Sequence, residues 1–180
     1  MFLLRLASLL SESECKSRYF LLNDQTFSQK SYNFAVNNTN MEQRNNNILP
    51  RECKLIAIKT ISDERGNLCV ADETVMPFKV ERTFWIHDVP EGKTRGGHAH
   101  QKCAEVLFPL SGSFDIMVDD GKTIQEFHMQ SPSEGIYIGP YVWCELRNFA
   151  PGTICLAFAS HPYMYDGYIK DYEAFRNINH

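Results

Sequence analysis

The sequence predicts an all-β fold, either a sandwich or a barrel, over most of its length after residue 53. Short strand-like runs follow one another there, and the run 78–86 alternates between two distinct faces. Turn residues such as Asp120–Gly121 separate the runs, because glycine tolerates the positive φ that tight hairpins need. Only the tail, from about 168 to 176, has a helix-like pattern. Many short strands with regular turns are typical of these two architectures.

The strand-like segments occur in order, each bounded by turn residues, and no internal repeat is present. The predicted strands are 54–58, 68–71, 78–86, 105–110, 113–119, 123–129, 135–138 and 153–159, with a turn at 62–67. Asp119 and Asp120 are expected to shape a hairpin turn rather than to act as a catalytic pair. Four tyrosines are expected to pack around the end of the barrel: Tyr163, Tyr165, Tyr168 and Tyr172.

Residues 1–50 differ in composition from residues 51–180, which we expect to form the folded domain. The apolar start is short and carries a single early arginine, which makes a poor secretory signal. The asparagine-rich tract that follows can bury little apolar surface, so we expect a disordered N-terminal arm. Met41 is an alternative translation start, which would make the first forty residues an artefact of annotation.

Composition excludes some classes of partner. The 180 residues carry a formal net charge of −4, so no basic surface indicates nucleic-acid binding. No apolar run is long enough to span a membrane. The six cysteines form no CxxC pair, and we expect reduced thiols in a cytoplasmic protein.

The most informative stretch is Gly96-Gly97-His98-Ala99-His100. Side chains at i and i+2 of a strand point to the same face, so both imidazoles are expected to converge on one spot. Gly92, His98, His100, Glu105 and Gly112 have the spacing of the first motif of the cupin superfamily, which they resemble. In metal-dependent cupins the two histidines and the glutamate hold a metal. Residues 135–148 resemble the second motif loosely, with Cys144 where a histidine is usual.

A closer resemblance covers residues 55–175, nearly all of the expected domain. The blocks that carry it are 61–66, Arg95-Gly96-Gly97-His98-Ala99-His100, 110–113, 118–122, 135–138 with Pro140 and Trp143, and 168–175. In these blocks the chain is similar to the dTDP-4-keto-6-deoxyhexose 3,4-ketoisomerases, which are grouped with WxcM-like proteins. The resemblance implies a cupin jelly-roll with a short C-terminal helix, a homodimer, and no metal or cofactor. It implies a dTDP-linked keto-deoxyhexose as substrate, within deoxysugar and polysaccharide biosynthesis.

The resemblance also implies the site. His98 is expected to act as the acid/base that moves a proton between C3 and C4, with His100 as its partner. An enediol can be handled by proton transfer and hydrogen bonds alone. The remaining expected substrate-binding residues are Arg65, Arg82 and Arg95 for the pyrophosphate, Trp85 and Trp143 for stacking, and Glu105 and Tyr137.

Two alternatives stay open. His98, His100, Glu105 and Cys144 would make a plausible set of metal ligands for a metal-dependent cupin enzyme. The family usually carries two tyrosines where this chain has Phe84 followed by tryptophan, so a sugar-nucleotide binding module without turnover is the other alternative.

Overall fold

The structure, a computed structural model, describes residues 49–178. Contacts divide the chain into two units, Met1–Asn45 and Asn46–His180, and every described residue belongs to the second. The expected disordered arm, apart from its last two residues, and the alternative start at Met41 lie outside the described residues. The predicted domain boundary after residue 50 stays a prediction.

The described residues form twelve strands, one short 3-10 helix at Tyr165–Gly167 and one α-helix. In chain order the elements are β1 Cys53–Ala57, β2 Thr60–Asp63, β3 Gly66–Cys69, β4 Arg82–His87, β5 Arg95–His100, β6 Glu105–Ser111, β7 Phe114–Asp119, β8 Ile124–Met129, β9 Glu134–Ile138, β10 Trp143–Arg147, β11 Ile154–Ala159, β12 Tyr168–Ile169 and α1 Tyr172–Ile178.

Ten of these strands form two five-stranded antiparallel sheets with a shared core. The first sheet has the order β1-β9-β6-β11-β4, and the second has the order β12-β5-β10-β7-β8. The hairpin β2–β3 stands apart as a two-stranded sheet. Strands that are distant in sequence lie side by side in both sheets, as in a jelly roll. The predicted all-β jelly-roll class is confirmed.

The core between the sheets is built from alternate residues of each strand. The second sheet contributes Phe114, Ile116, Val118, Cys144 and Leu146, and the first contributes Leu107, Ile136, Cys155 and Ala157. Because successive side chains of a strand point to opposite faces, the residues between these ones face outward. The outward-facing side chains are therefore either covered by other segments of the chain or exposed to solvent.

Both outer faces are partly covered by other segments of the chain. On the first sheet, Val106 and Phe108 pack against Met76 from the segment between β3 and β4. On the second sheet, Trp143 packs against Phe175 of α1. The helix thus backs the sheet that carries β5, which fixes that strand from behind.

The hairpin between β7 and β8 uses the two aspartates as turn residues. A carboxylate oxygen of Asp119 accepts a hydrogen bond from the backbone N–H of Gly121 at 2.7 Å. The Asp120 carboxylate accepts from the N–H groups of Lys122 and Thr123 at 2.9 and 2.8 Å. Gly121 has a φ of 89°, which fits a tight turn. The predicted turn role of this pair is confirmed.

The C-terminal segment differs from its predicted helix over about 168 to 176. Tyr168–Ile169 forms β12 instead, paired with the end of β5, because that strand otherwise leaves a sheet edge unpaired. The helix begins only at Tyr172. Asp171 accepts a hydrogen bond from the N–H of Ala174 at 2.7 Å, as an N-cap residue does.

The cysteines of the described residues are all free thiols. They are Cys53, Cys69, Cys103, Cys144 and Cys155. Burial raises the pKa of Cys53 and of Cys155 to about 12, so both are neutral thiols near neutral pH. Among residues 49–178, no helix has the length and apolar character to cross a membrane.

Candidate active site

His98 and His100 lie together on the interior face of β5. His98 is the register partner of Cys144, whose side chain belongs to the core between the sheets. His100 follows two residues later and therefore shares this face. The ring centroids lie 5.0 Å apart and the ring planes are nearly perpendicular, at 87°. The two imidazoles meet, as their i, i+2 spacing predicts.

The paired glycines before them shape this strand. Both have positive φ, 78° at Gly96 and 69° at Gly97, where a side chain would be strained. Gly96 pairs with Glu145 and His98 pairs with Cys144, which leaves Gly97 as the extra residue of a β-bulge. A Cβ at Gly96 would lie 2.7 Å from the carbonyl oxygen of Cys144. Bulges of this kind re-aim the side chains that follow them.

Tyr168 completes an aromatic cluster with the two histidines. It lies directly opposite His100 in the register of β12 on β5. Its ring centroid is 4.9 Å from that of His98 and 4.6 Å from that of His100. The preceding turn is tied to the strand end, since the N–H of Gln101 donates to the carbonyl of Gly167 at 3.0 Å.

Glu105 lies between His100 and an arginine. Its Oε1 accepts a hydrogen bond from Nη2 of Arg82 at 3.1 Å and lies 3.2 Å from Nε2 of His100. The side chains are well buried, with exposed fractions of 18% for Arg82 and 8% for each of the other two. The three strand ends meet because Glu105 and Arg82 both pair with the last residue of β11.

Two buried nitrogen atoms of this cluster have no hydrogen-bond partner within residues 49–178. They are Nε of Arg82 and Nε2 of His100, the latter close to Glu105 but outside hydrogen-bond geometry. Buried polar atoms are normally satisfied, so these two are expected to meet a water molecule, an ion or a ligand. A narrow cleft opens beside them, lined by Arg82, His100, Cys103, Pro162, Met164, Gly167 and Tyr168.

The environment of His98 favours its neutral form. Burial lowers the pKa of its imidazole below 6.5, and the neighbouring His100 lowers it further. The backbone of Gly96 and the Glu105 carboxylate oppose this shift without reversing it. A neutral imidazole at neutral pH can accept a proton, as a general base must.

Cys144, the fourth residue of the alternative metal set, is an unfavourable ligand in this fold. Burial raises the pKa of its thiol well above the usual range, and the Glu105 carboxylate adds to the shift. Metals bind the thiolate rather than the thiol. Within residues 49–178, no three His, Cys, Asp or Glu side chains come together as a set that could hold a metal ion.

The remaining predicted substrate-binding residues lie away from the histidines. Arg65 is exposed on the β2–β3 hairpin, where it pairs with Asp63, and Arg95 is exposed at the start of β5. Trp85 is 63% exposed on the outer face of β4. Tyr137 packs with Phe78, Val106 and Phe108 on the outer face of the first sheet, and Trp143 packs under α1. Their roles in binding stay predictions.

Tyr168 was predicted only to pack around the end of the barrel, but the structure places it beside the two histidines. It lies in a segment predicted as a helix, so its pairing with β5 was not foreseen. The signal that could have found it is the block 168–175, which the chain shares with the family it resembles. Alternation within a two-residue strand is too short to detect from the sequence.

The two facing sheets, with a histidine pair on one interior face, define a cupin-type jelly-roll protein with a polar site at one end of the barrel. Residues 51–180 match the family described as FdtA: WxcM-like, C-terminal. The chain belongs to this family, as the resemblance of its motifs predicts.

Similar proteins of known activity cover most of the domain. The chain is 39% identical over 126 residues to a TDP-4-oxo-6-deoxy-alpha-D-glucose-3,4-oxoisomerase of Aneurinibacillus thermoaerophilus, which covers 69% of this chain and 91% of that one. Among solved structures, the WlaRB TDP-quinovose 3,4-ketoisomerase of Campylobacter jejuni is 35% identical, with a TM-score of 0.68 over 71% of this chain and 98% of the other. A histidine-to-asparagine mutant of the 3,4-ketoisomerase QdtA of Thermoanaerobacterium thermosaccharolyticum, in complex with TDP-4-keto-6-deoxyglucose, is 32% identical. Its TM-score is 0.70, over 73% of this chain and 96% of that one.

Proposed function

We propose that the protein is a TDP-sugar 3,4-ketoisomerase that moves the keto group of a TDP-4-keto-6-deoxyhexose between C4 and C3. Membership of the family supports this activity, since its similar members carry that name. One of them has been crystallised with TDP-4-keto-6-deoxyglucose. The interior histidine pair gives the present chain the acid/base groups that the reaction needs.

The observation that carries the proposal is the setting of His98. Its ring faces the interior between His100 and Tyr168, and burial holds its pKa below 6.5. It is thus a neutral base in a partly dehydrated site, next to buried nitrogen atoms that have no partner among the residues that the structure describes. Such a site suits proton abstraction from a carbon next to a carbonyl group.

The reaction proceeds by two proton transfers at carbon and two at oxygen. His98 takes the proton from C3, and the C4 oxygen gains a proton from a second group, which gives an enediol. The imidazolium of His98 then delivers a proton to C4, while the C3 hydroxyl returns a proton to the second group. The protein ends in its starting state, and no metal or redox cofactor takes part in these steps.

Glu105 and His100 keep the base in place and balance its charge. When His98 gains a proton, the carboxylate of Glu105 stabilises the positive charge, because it is among the groups that raise the pKa of His98. His100 packs edge-on against His98 and limits its rotation. Arg82 neutralises Glu105 between turnovers. Glu105, His100 and Arg82 must stay in contact for these roles, but none of the three gains or loses a proton in the proposed steps.

The nucleotide pyrophosphate needs cationic donors, and the three predicted arginines are the candidates. Arg82 stands beside the histidines, and its Nε has no hydrogen-bond partner in the described part of the chain. Arg95 is exposed at the start of β5, and Arg65 is exposed but paired with Asp63, so Arg65 would have to exchange that partner to bind a nucleotide or a second subunit. We propose a homodimer in the cytoplasm, supported by the exposed apolar residues of the separate hairpin, Ile61 and Leu68, and by exposed Trp85. Light scattering at several concentrations tests the dimer.

The activity is tested by incubating the protein with TDP-4-keto-6-deoxyglucose and following the sugar by NMR. We expect conversion to the 3-keto isomer by the wild type and by a His87→Asn control, whose histidine is exposed on the outer face of β4. His98→Asn should bind the substrate but lose turnover by about 100-fold or more. Tight binding of TDP without conversion by the wild type would instead indicate a binding module.

A further inference from the structure

Tyr168 presents the one tyrosine ring that contacts both histidines in the described part of the chain. It stands opposite His100 across the β5–β12 register, with ring contacts to His98 and His100 at 4.9 and 4.6 Å. Its hydroxyl makes no hydrogen bond to any residue within 49–178. The hydroxyl of Tyr172, four residues on, is by contrast engaged by Asp119 at 2.5 Å. The phenol of Tyr168 is therefore available to a ligand.

The proposed isomerisation leaves one chemical role open. The carbon-bound proton is assigned to His98, but a second group must protonate one sugar oxygen and deprotonate the other. A phenol can do both, since it donates its proton and, as a phenolate, accepts one back. This second group must also lie close to His98, because the two oxygens are bonded to C3 and C4, the carbons between which His98 moves a proton.

Other side chains at the site fit this role less well. Phe84 occupies the interior face of β4 and has no hydroxyl. Tyr163 is largely exposed, and its ring faces the Arg82 guanidinium. The ammonium group of Lys170 lies 5.7 Å from the centre of the Tyr168 ring. This is a cation–π contact with the ring of Tyr168.

We propose that the hydroxyl of Tyr168 carries the oxygen-bound proton of the reaction. It gives its proton to the C4 oxygen as His98 takes the proton from C3, which breaks the O–H bond of the phenol and forms that of the enediol. The phenolate then removes the proton from the C3 oxygen as His98 protonates C4. Protons and charges balance over the cycle. This inference rests on the proposed ketoisomerase activity and names a further catalytic residue for it.

The test compares Tyr168→Phe with Tyr165→Phe in the full chain, using TDP-4-keto-6-deoxyglucose. Both substitutions remove one hydroxyl and keep the ring. Tyr165 is 73% exposed in the adjacent 3-10 helix, so it serves as the matched control. Initial rates give kcat and KM, binding of TDP is measured by calorimetry, and the thermal midpoint reports folding.

We expect kcat of Tyr168→Phe to fall by about 100-fold, with KM, TDP affinity and thermal midpoint unchanged. Tyr165→Phe should match the wild type in all four. An undiminished kcat for Tyr168→Phe would overturn the inference while leaving the ketoisomerase proposal intact. So would a loss of TDP affinity or of folding that accounts for the whole loss of rate, since the hydroxyl would then serve binding or packing. Absence of turnover in the wild type would remove both proposals.

Discussion

Oε1 of Glu105 lies 3.2 Å from Nε2 of His100, and the same oxygen accepts a hydrogen bond from Arg82 at 3.1 Å. One buried carboxylate thus links a cation on β4 to an imidazole on β5. Arg82 is the hydrogen-bonded partner of this carboxylate, whereas the contact with His100 is outside hydrogen-bond geometry. Glu105 therefore connects the two sheets at the site, since it contacts Arg82 on the first sheet and His100 on the second.

Replacing Glu105 by glutamine should destabilise the protein. The change keeps the size of the side chain but removes the charge that compensates the largely buried Arg82, and we expect a loss of about 3 kcal/mol in the free energy of unfolding. Urea denaturation measures it. Glu126→Gln is the control, because its pair with Arg147 is 45% and 39% exposed and should contribute about 0.5 kcal/mol. Equal losses of unfolding free energy for the two variants would contradict a stabilising role for the buried charge of Glu105.

The pH dependence of kcat/KM should report His98. Burial and the neighbouring His100 lower the pKa of this imidazole from 6.5, so the base form persists to more acidic pH than for a free histidine. Activity should be lost as pH falls through a midpoint below 6.5. Protonation also opposes folding, so stability should be complete above 6.5 and decline below it. An acidic midpoint above 6.5 would contradict the assignment of His98 as the base.

The two glycines before the histidines should differ in their tolerance of alanine. Both have positive φ, which costs an alanine about 1–2 kcal/mol. A Cβ at Gly97 meets nothing within 4 Å, whereas one at Gly96 would lie 2.7 Å from the backbone of Cys144. Gly96→Ala should therefore lose more stability and more turnover than Gly97→Ala, measured by urea denaturation and initial rates. Equal effects would contradict the close approach of Gly96 to the backbone of Cys144 as the stricter constraint.

Removal of the Phe175 ring should loosen the sheet that carries β5. Phe175 is fully buried against Trp143 and Ala99, so Phe175→Ala should cost about 3–5 kcal/mol. Ile178→Ala, in the same helix but 55% exposed, should cost about 0.5 kcal/mol or less. Calorimetric melting compares them. A small loss for Phe175→Ala would mean that the helix does not brace the site from behind.

The sequence was sufficient to predict an all-β sandwich or barrel and the meeting of His98 and His100, because both follow from strand alternation. The narrower jelly-roll class was implied by the resemblance of its motifs to a known family. The sequence could not predict which face of a strand carries each aromatic residue relative to the histidines. Trp85 and Trp143 face outward because the alternation of β4 and β10 gives the interior to Arg82 and Cys144. Tyr168 was missed because its strand exists only through pairing with β5, a contact between distant parts of the chain.

The role of His98 as the catalytic base is tested most directly by NMR of TDP-4-keto-6-deoxyglucose in deuterium oxide, with wild-type protein and with His98→Asn. The wild type should form the 3-keto isomer with deuterium at C4, because the imidazolium proton exchanges with solvent, whereas conversion by His98→Asn should be slower by about 100-fold or more. Unchanged substrate with the wild type would contradict the ketoisomerase activity, and undiminished conversion by His98→Asn would contradict the role of His98 as the base.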